Sequence, residues 1–295
     1  DWLTEAVQAS AAAKLSINAK IRRLNWFSDG KDDVLSCGAF ELDGVDASGP
    51  PAVVTIKATA LPFSESFRQT KKSRAWESYK LSGIASELAG KCGLKCMYEA
   101  ADDPFYRRVE QSKTSDASFL SKLCKDAGIS MKVTDGTLVL FDRTAYEKKA
   151  PVMTIKKADV SYTKYKLSSS AAETRYAVCR VSYISPATGK CIEGTAKAAD
   201  YDKDAKDNQQ LEITARVSSV GEAKALAAKR LKLHNCYSRA ASFTLPGNPS
   251  LVAGVTVRLE DFGGWDGKYM VSQAKHSVKA SGYTTDIQLR RCLEG

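Results

Sequence analysis

Short runs in which apolar and polar residues alternate, each closed by a glycine, proline or aspartate turn signal, fill two long stretches of this chain. Strict alternation puts every second side chain on one face of a strand, so such runs call for sheets with one covered face. The first stretch, from Ala19 to Leu61, holds INAKIRRLNW, LSCGAFELDGV and AVVTIKATAL, with turn signals at Ser28-Asp29-Gly30 and Ser48-Gly49-Pro50-Pro51. The second begins at Val152. It holds YAVCRVSYI, a turn at Pro186-Ala187-Thr188-Gly189, LEITARV, ASFTLPG, GVTVRLEDF, a turn at Trp265-Asp266-Gly267, GKYMVSQAKHSV and GYTTDIQLRRC. Strands this short, with turns this frequent, imply a barrel or a sandwich. One helix interrupts them. Ser219 and Glu222 have capping-box spacing, each able to satisfy the other's backbone amide, and Ala223, Leu226 and Leu233 give the helix an apolar side.

Between the two β stretches the period changes. Leu81, Ile84, Ala85 and Leu88 mark a helix that closes near Gly90, followed by a strand at Leu94 to Tyr98, a turn at Asp102-Asp103-Pro104 and a strand at Arg107 to Gln111. Ser115 then has the place and chemistry of an N-cap, with Asp116 at the positive end of the helix dipole. Phe119, Leu120, Leu123, Cys124 and Ala127 form one apolar face, and Gly128 suits the left-handed C′ position that ends the helix. Ile129 to Thr134 and Thr137 to Asp142 read as a hairpin turning at Asp135-Gly136. Residues of about 78 to 142 therefore make a compact α/β module inserted between two β regions. No internal repeat is apparent by eye.

At 295 residues the chain is long enough for about two domains with real cores. A hydrophobic content of 43% argues for a folded chain. It has no run of eighteen apolar residues, which a membrane-spanning helix needs. The opening DWLTEAVQASAAAKLS has neither the basic start nor the continuous apolar core of a secretory signal, and its abrupt beginning at Asp1-Trp2 fits a fragment or a missing N-terminus. The formal charge of +10 favours an anionic partner in principle, but the basic residues are scattered among acids with no stacking aromatics between them. That pattern reads as solvated faces and subunit contacts. The eight cysteines sit mostly in apolar patterns of a chain too large to need a disulfide framework, so they read as reduced core thiols and imply assembly in a cytoplasm.

Residues placed for chemistry are scarce. His234 lies near a helix C-terminus and His276 in a strand, both suited to structural roles. Cys92 and Cys96 form CGLKC, not the CxxC of a zinc knuckle, and no second ligand pair has suitable spacing. A cysteine hydrolase would need a thiolate beside an imidazole, and nothing local supports one. Carboxylates abound without a glycosidase motif around them. SPATGKC has the Gly189-Lys190 of a phosphate loop, but Ile184 stands at the first glycine and Cys191 at the hydroxyl that would reach magnesium. GGWDG, Gly263 to Gly267, precedes a strand and reads as a turn.

Five segments in order, LSCGAFELDGVDASGPPAVVTIKA, RQTKKSRAWESYKLSGIASELA, DPFYRRVEQSKTSDASFLSKLCKDAGISMKVTDGTLVLFD, SFTLPGNPSLVAGVTVRL and DGKYMVSQAKHSVKASGYTTDIQLRRCLEG, together resemble the phage late control D family. These are baseplate hub proteins of contractile phage tails and related injection systems, similar to the hub portion of type VI secretion spike proteins. Members usually have several dozen residues ahead of the segment that looks like Asp1-Trp2-Leu3. The resemblance implies a mainly β fold with an α+β insert: two tube-like β-barrel domains plus a small inserted α/β domain. On that reading residues 1–65 form the first barrel without its N-terminal strands, completed by about 145–165, and residues 66–144 form the insert. Residues 145–295 form the second barrel, with one helix at about 219–235. The implied function is a trimeric ring that adapts a six-fold tail tube to a three-fold central spike. Its implied partners are two further copies of itself, the spike, the tube or tube-initiator protein, the tape-measure protein and other baseplate proteins. DNA passes the lumen without specific binding. The implied place is the virion tail baseplate, or a phage-tail-like particle, after assembly in the bacterial host cytoplasm. No catalytic, cofactor-binding or metal-binding residue and no cofactor is implied. The alternatives are a baseplate-associated cell-wall-degrading enzyme and a DNA-binding protein.

Overall fold

The computed structural model describes residues 16–60, 65–134, 136–159, 162–169, 175–185, 189–199, 201–205 and 208–293. Asp1, Trp2, Leu3, Leu61, Asp135, Pro186, Ala187 and Thr188, which carry expectations from the sequence, lie outside them. The chain divides into two units, the first ending at Asp142 and the second beginning at Arg143. Each is mainly β.

The first β stretch folds as the alternation predicts, into β1 (Ser16–Arg23), β2 (Asp33–Ser48) and β3 (Val53–Thr59), antiparallel in the order β1-β2-β3. Gly30, at φ +74°, turns β1 into β2. The long central strand is shared: β1 pairs with it from Asp33 to Glu41, and β3 from Glu41 to Ser48. Register shifts on either strand leave Cys37 and Asp43 without a partner residue. Such bulges bend a strand and increase its twist.

The module begins with α1 (Glu65–Arg68) and β4 (Lys72–Lys80), then α2 (Leu81–Lys91), β5 (Lys95–Glu99), β6 (Phe105–Thr114), α3 (Asp116–Asp126), β7 (Ser130–Thr134) and β8 (Thr137–Phe141). Strands β4 and β6 make an antiparallel ribbon, and a second sheet runs β5-β8-β7. Both helices turn their apolar faces onto one core of Trp76, Ile84, Leu88, Phe119, Leu120 and Leu138, in which the Trp76 and Phe119 rings stack at 5.0 Å. The cap residues behave as their chemistry requires. Ser115 Oγ accepts the Ser118 amide at 3.3 Å. At the other end Gly128, at φ +69°, donates to Lys125 and Ile129 donates to Cys124, which closes a Schellman motif. Asp116 does more than face the dipole: it is buried, and its carboxylate accepts from Lys72 Nζ at 2.6 Å and Gln111 Nε2 at 2.9 Å. Strand β6 is longer than the sequence predicts. Strand β4 is not foreseen, because KSRAWESYK carries Trp76 as its single buried residue among exposed and charged ones.

The second unit runs α4 (Arg143–Glu147), β9 (Met153–Lys156), β10 (Lys164–Ser169), β11 (Val178–Ile184), β12 (Cys191–Lys197), β13 (Gln210–Thr214), α5 (Val220–Asn235), β14 (Arg239–Pro246), β15 (Thr256–Glu260), β16 (Gly267–Lys279) and β17 (Gly282–Arg291). Six strands join in the order β10-β14-β17-β16-β15-β9 over a core of Ile155, Phe243, Leu245, Val257, Tyr269 and Leu289. Strand β9, which falls in the stretch expected to complete the first barrel, pairs here in parallel with β15. A smaller sheet, β12-β11-β13, is covered by α5. The covered face of α5 is Ala223, Leu226, Ala227, Arg230 and Leu231; Leu233 lies off it and is only half-buried, a correction to the sequence reading. The capping box is also altered. Ser219 Oγ accepts the Glu222 amide at 3.1 Å, but the Glu222 carboxylate accepts from the Ser218 amide at 2.7 Å, one residue earlier than the motif predicts. The helix sits so close to β12 that a Cβ on Gly194 would lie 2.4 Å from the Lys224 amide nitrogen.

Candidate functional site

His276 and the buried thiols, which the sequence offers for chemistry, are committed to structure. His276 Nε2 lies 3.0 Å from the Leu251 carbonyl, which can only accept, so Nε2 carries the proton and Nδ1 accepts from Tyr283 Oη at 2.7 Å. Burial lowers the pKa of this ring, against the pull of the Leu251 carbonyl, and holds it neutral. His234 sits in the last turn of α5 with its ring edge-on to Tyr176 at 5.7 Å. All eight cysteines are free of disulfides. Burial pushes the Cys124 thiol up to about 12 and those of Cys179 and Cys292 up to about 11, with Cys236 raised as well. Thiols so placed are inert, because the thiolate is the nucleophile. Cys92 and Cys96 pack against the module core, and among the described residues no group of His, Cys, Asp or Glu could hold a metal. Gly189, at φ +65°, belongs to the β11–β12 connection and leads into a strand, so its amide does not open a helix as a phosphate loop would. Gly263 to Trp265 form one 3₁₀ turn before β16, as expected of GGWDG.

One buried ion pair is not singled out by the sequence. Glu147 accepts from Arg290 Nη1 at 2.7 Å, with Lys232 Nζ 3.5 Å from its other oxygen, and both Glu147 and Arg290 are buried. The pair ties α4 and the end of α5 to β17. A carboxylate locked in this way is not available as a general acid or base.

What the described residues do offer is a surface. No side chain between residues 16 and 60 is buried. Leu24, Trp26, Phe27, Val34, Val53 and Ile56 are each at least 48% exposed. Leu24, Trp26 and Phe27 crowd the β1–β2 turn, where the Arg23 guanidinium lies 3.6 Å over the Trp26 ring and Arg22 and Arg23 pair with Asp32 and Asp33. Val53 and Ile56 lie on β3, whose outer edge pairs with no other strand among the described residues. Three strands without one fully buried side chain gain little to offset the conformational entropy of ordering them. Open strand edges are also templates for pairing with another chain. Among the described residues the sheet thus presents exposed apolar side chains and open strand edges.

Known proteins point the same way. A family model described as phage tail baseplate hub (GPD) matches residues 46–282. The probable baseplate hub protein of Escherichia phage 186 is 20% identical over 302 residues, spanning 90% of this chain and 77% of that protein. That of Escherichia phage P2 is 32% identical over 149 residues, which are 46% of this chain and 36% of that one. Among solved structures, the tail protein from Neisseria meningitidis MC58 shares the fold with a TM-score of 0.69 at 13% identity, over 94% of this chain and 87% of that chain.

Proposed function

Since the chain belongs to the phage tail baseplate hub family, we propose that it is a structural adaptor, three copies of which close into a ring between the tail tube and the central spike. Each chain contributes two tube-like β domains, one built on β1 to β3 with further strands and one on the six-stranded sheet of the second unit. Two domains in each of three chains give six similar positions around one channel, which meets a six-fold tube on one side and a three-fold spike on the other. Neighbouring chains in such a ring join head to tail, through heterologous interfaces. The partners are the spike, the tube or tube-initiator protein, the tape-measure protein and other baseplate proteins, and DNA passes the channel without specific contacts. The chain acts without catalysis or cofactor, in a tail baseplate assembled in the bacterial cytoplasm.

The observation that supports this reading is the open sheet: residues 16–60 expose Leu24, Trp26, Phe27, Val34, Val53 and Ile56 and an outer strand edge, which a neighbouring copy would cover. Native mass measurement and electron microscopy of the purified hub test it. The expected particle has three times the chain's 32.0 kDa and a single channel. A monomer whose β1–β3 amides are protected, or a ring of six chains, would overturn it.

A further inference from the structure

The two halves of the module match each other at a single offset of 35 residues. Helix α2 spans Leu81–Lys91 and α3 spans Asp116–Asp126; strand β5 spans Lys95–Glu99 and β7 spans Ser130–Thr134, so both ends of both pairs agree. The unusual backbone positions agree too. Ser78 and Lys113, at φ +57° and +48°, precede the two helices, and Gly93 and Gly128, at +70° and +69°, follow them. After each helix the same two hydrogen bonds form, Gly93 to Gly90 with Leu94 to Ala89, and Gly128 to Lys125 with Ile129 to Cys124. Each buried position of the first half, Trp76, Leu81, Ile84, Ala85, Leu88, Ala89 and Leu94, falls on a buried position of the second: Gln111, Asp116, Phe119, Leu120, Leu123, Cys124 and Ile129.

The strand pairing gives the operation that relates the halves. In the β4–β6 ribbon Arg74 faces Gln111 and Trp76 faces Val109, two pairs that exchange under the offset, while Ala75 faces Glu110 and maps onto itself. In the other sheet Met97 and Lys132, again 35 apart, both pair with Val139, from opposite sides and with opposite strand directions. An operation that swaps partners about Ala75–Glu110 and about Val139 is a half-turn.

We infer that residues 74–98 and 109–133 are two copies of one strand-helix-strand unit, paired about a local two-fold axis that crosses the single strand β8 at Val139. Each copy covers the other's apolar side, as the stacking of Trp76 from the first on Phe119 from the second illustrates. The partner that this surface fits is therefore a second copy of the same unit, already present in the chain. Only Ser86 and Ser121, Leu88 and Leu123, and Gly93 and Gly128 are identical between the copies, which hides the repeat from a reading of the residues alone. Isologous pairs of this kind are self-complementary, so the module closes on itself.

Segment grafts in the full chain test this, with amide hydrogen exchange of α2, α3 and β8 as the readout, independent of ring assembly. Replacing residues 92–98 with the sequence of residues 127–133 respects the offset and keeps glycine at position 93; replacing them with the sequence of 128–134 breaks the offset by one and places isoleucine there. The first graft should keep the protection of all three elements and the second should lose it. Equal loss or equal retention in the two grafts would overturn the inference. A crystal structure of the unaltered chain gives a second measure: the rotation that lays Cα atoms 74–98 on 109–133 should be a half-turn, and any other rotation would also overturn it.

Discussion

Residues 16–60 bury no side chain, whereas the module that follows them in the same unit closes around Trp76, Ile84, Leu88, Phe119, Leu120 and Leu138. Both regions are built largely from antiparallel pairs of strands, β5–β8 in the module being parallel. The module adds helices α2 and α3, whose apolar faces pack with its strands in one core, so each element finds its cover locally. Among the described residues the sheet β1–β3 has alternation and turns but no helix packed on it. Local completeness separates the two: the module closes a core of its own, whereas residues 16–60 leave side chains such as Val53 and Ile56 exposed.

The contrast breaks most readily at Phe119. Its ring is 5% exposed and stacks on Trp76. Phe119→Ala removes that stack and leaves a cavity, with an expected loss of about 3–5 kcal/mol. Because the chain has two units, a single melting curve is a poor gauge. Amide exchange in α3 and β8 reads the module directly, and unchanged protection there would mean that the core is not centred on Phe119. Ser115→Ala is a gentler probe of the same body. It deletes the cap on the Ser118 amide, with an expected cost of about 1 kcal/mol, seen first as faster exchange in the opening turn of α3.

These two substitutions fall on residues that the sequence makes legible, since capping chemistry and helical period are local. What was not legible is long-range or disguised. Strand β4 carries one inward apolar residue, so its period cannot be read. Arg230 is buried on α5 while Leu233 lies off the covered face, which reverses the assignment that hydrophobicity suggests. The Glu147–Arg290 pair joins residues 143 apart in the chain. No candidate site residue was expected, and the groups that chemistry would need, His276 and the buried thiols, are held by neighbours that topology alone brings to them. The alternation of AVVTIKATAL announces a strand with a face to cover. It cannot say what covers that face.

The smallest expected effect on the isolated chain is the sharpest test of the comparison. Val53 and Ile56 are 50% and 59% exposed on β3, so Val53→Ser and Ile56→Ser remove little buried surface from a single chain. Substitutions at exposed positions of this kind usually stay within about 0.5 kcal/mol, and exchange in both units should be unaltered. In a ring the same side chains would be covered by a neighbour, and losing a fully buried valine or isoleucine costs roughly 1.5–3 kcal/mol at each interface. The double variant should therefore keep the fold and shift the balance from the three-chain particle to single chains, measured by sedimentation at matched concentrations. If instead the single chain melts earlier while the particle persists, residues 16–60 possess a core of their own. The open sheet would then belong with the module, and the difference between the two regions would disappear.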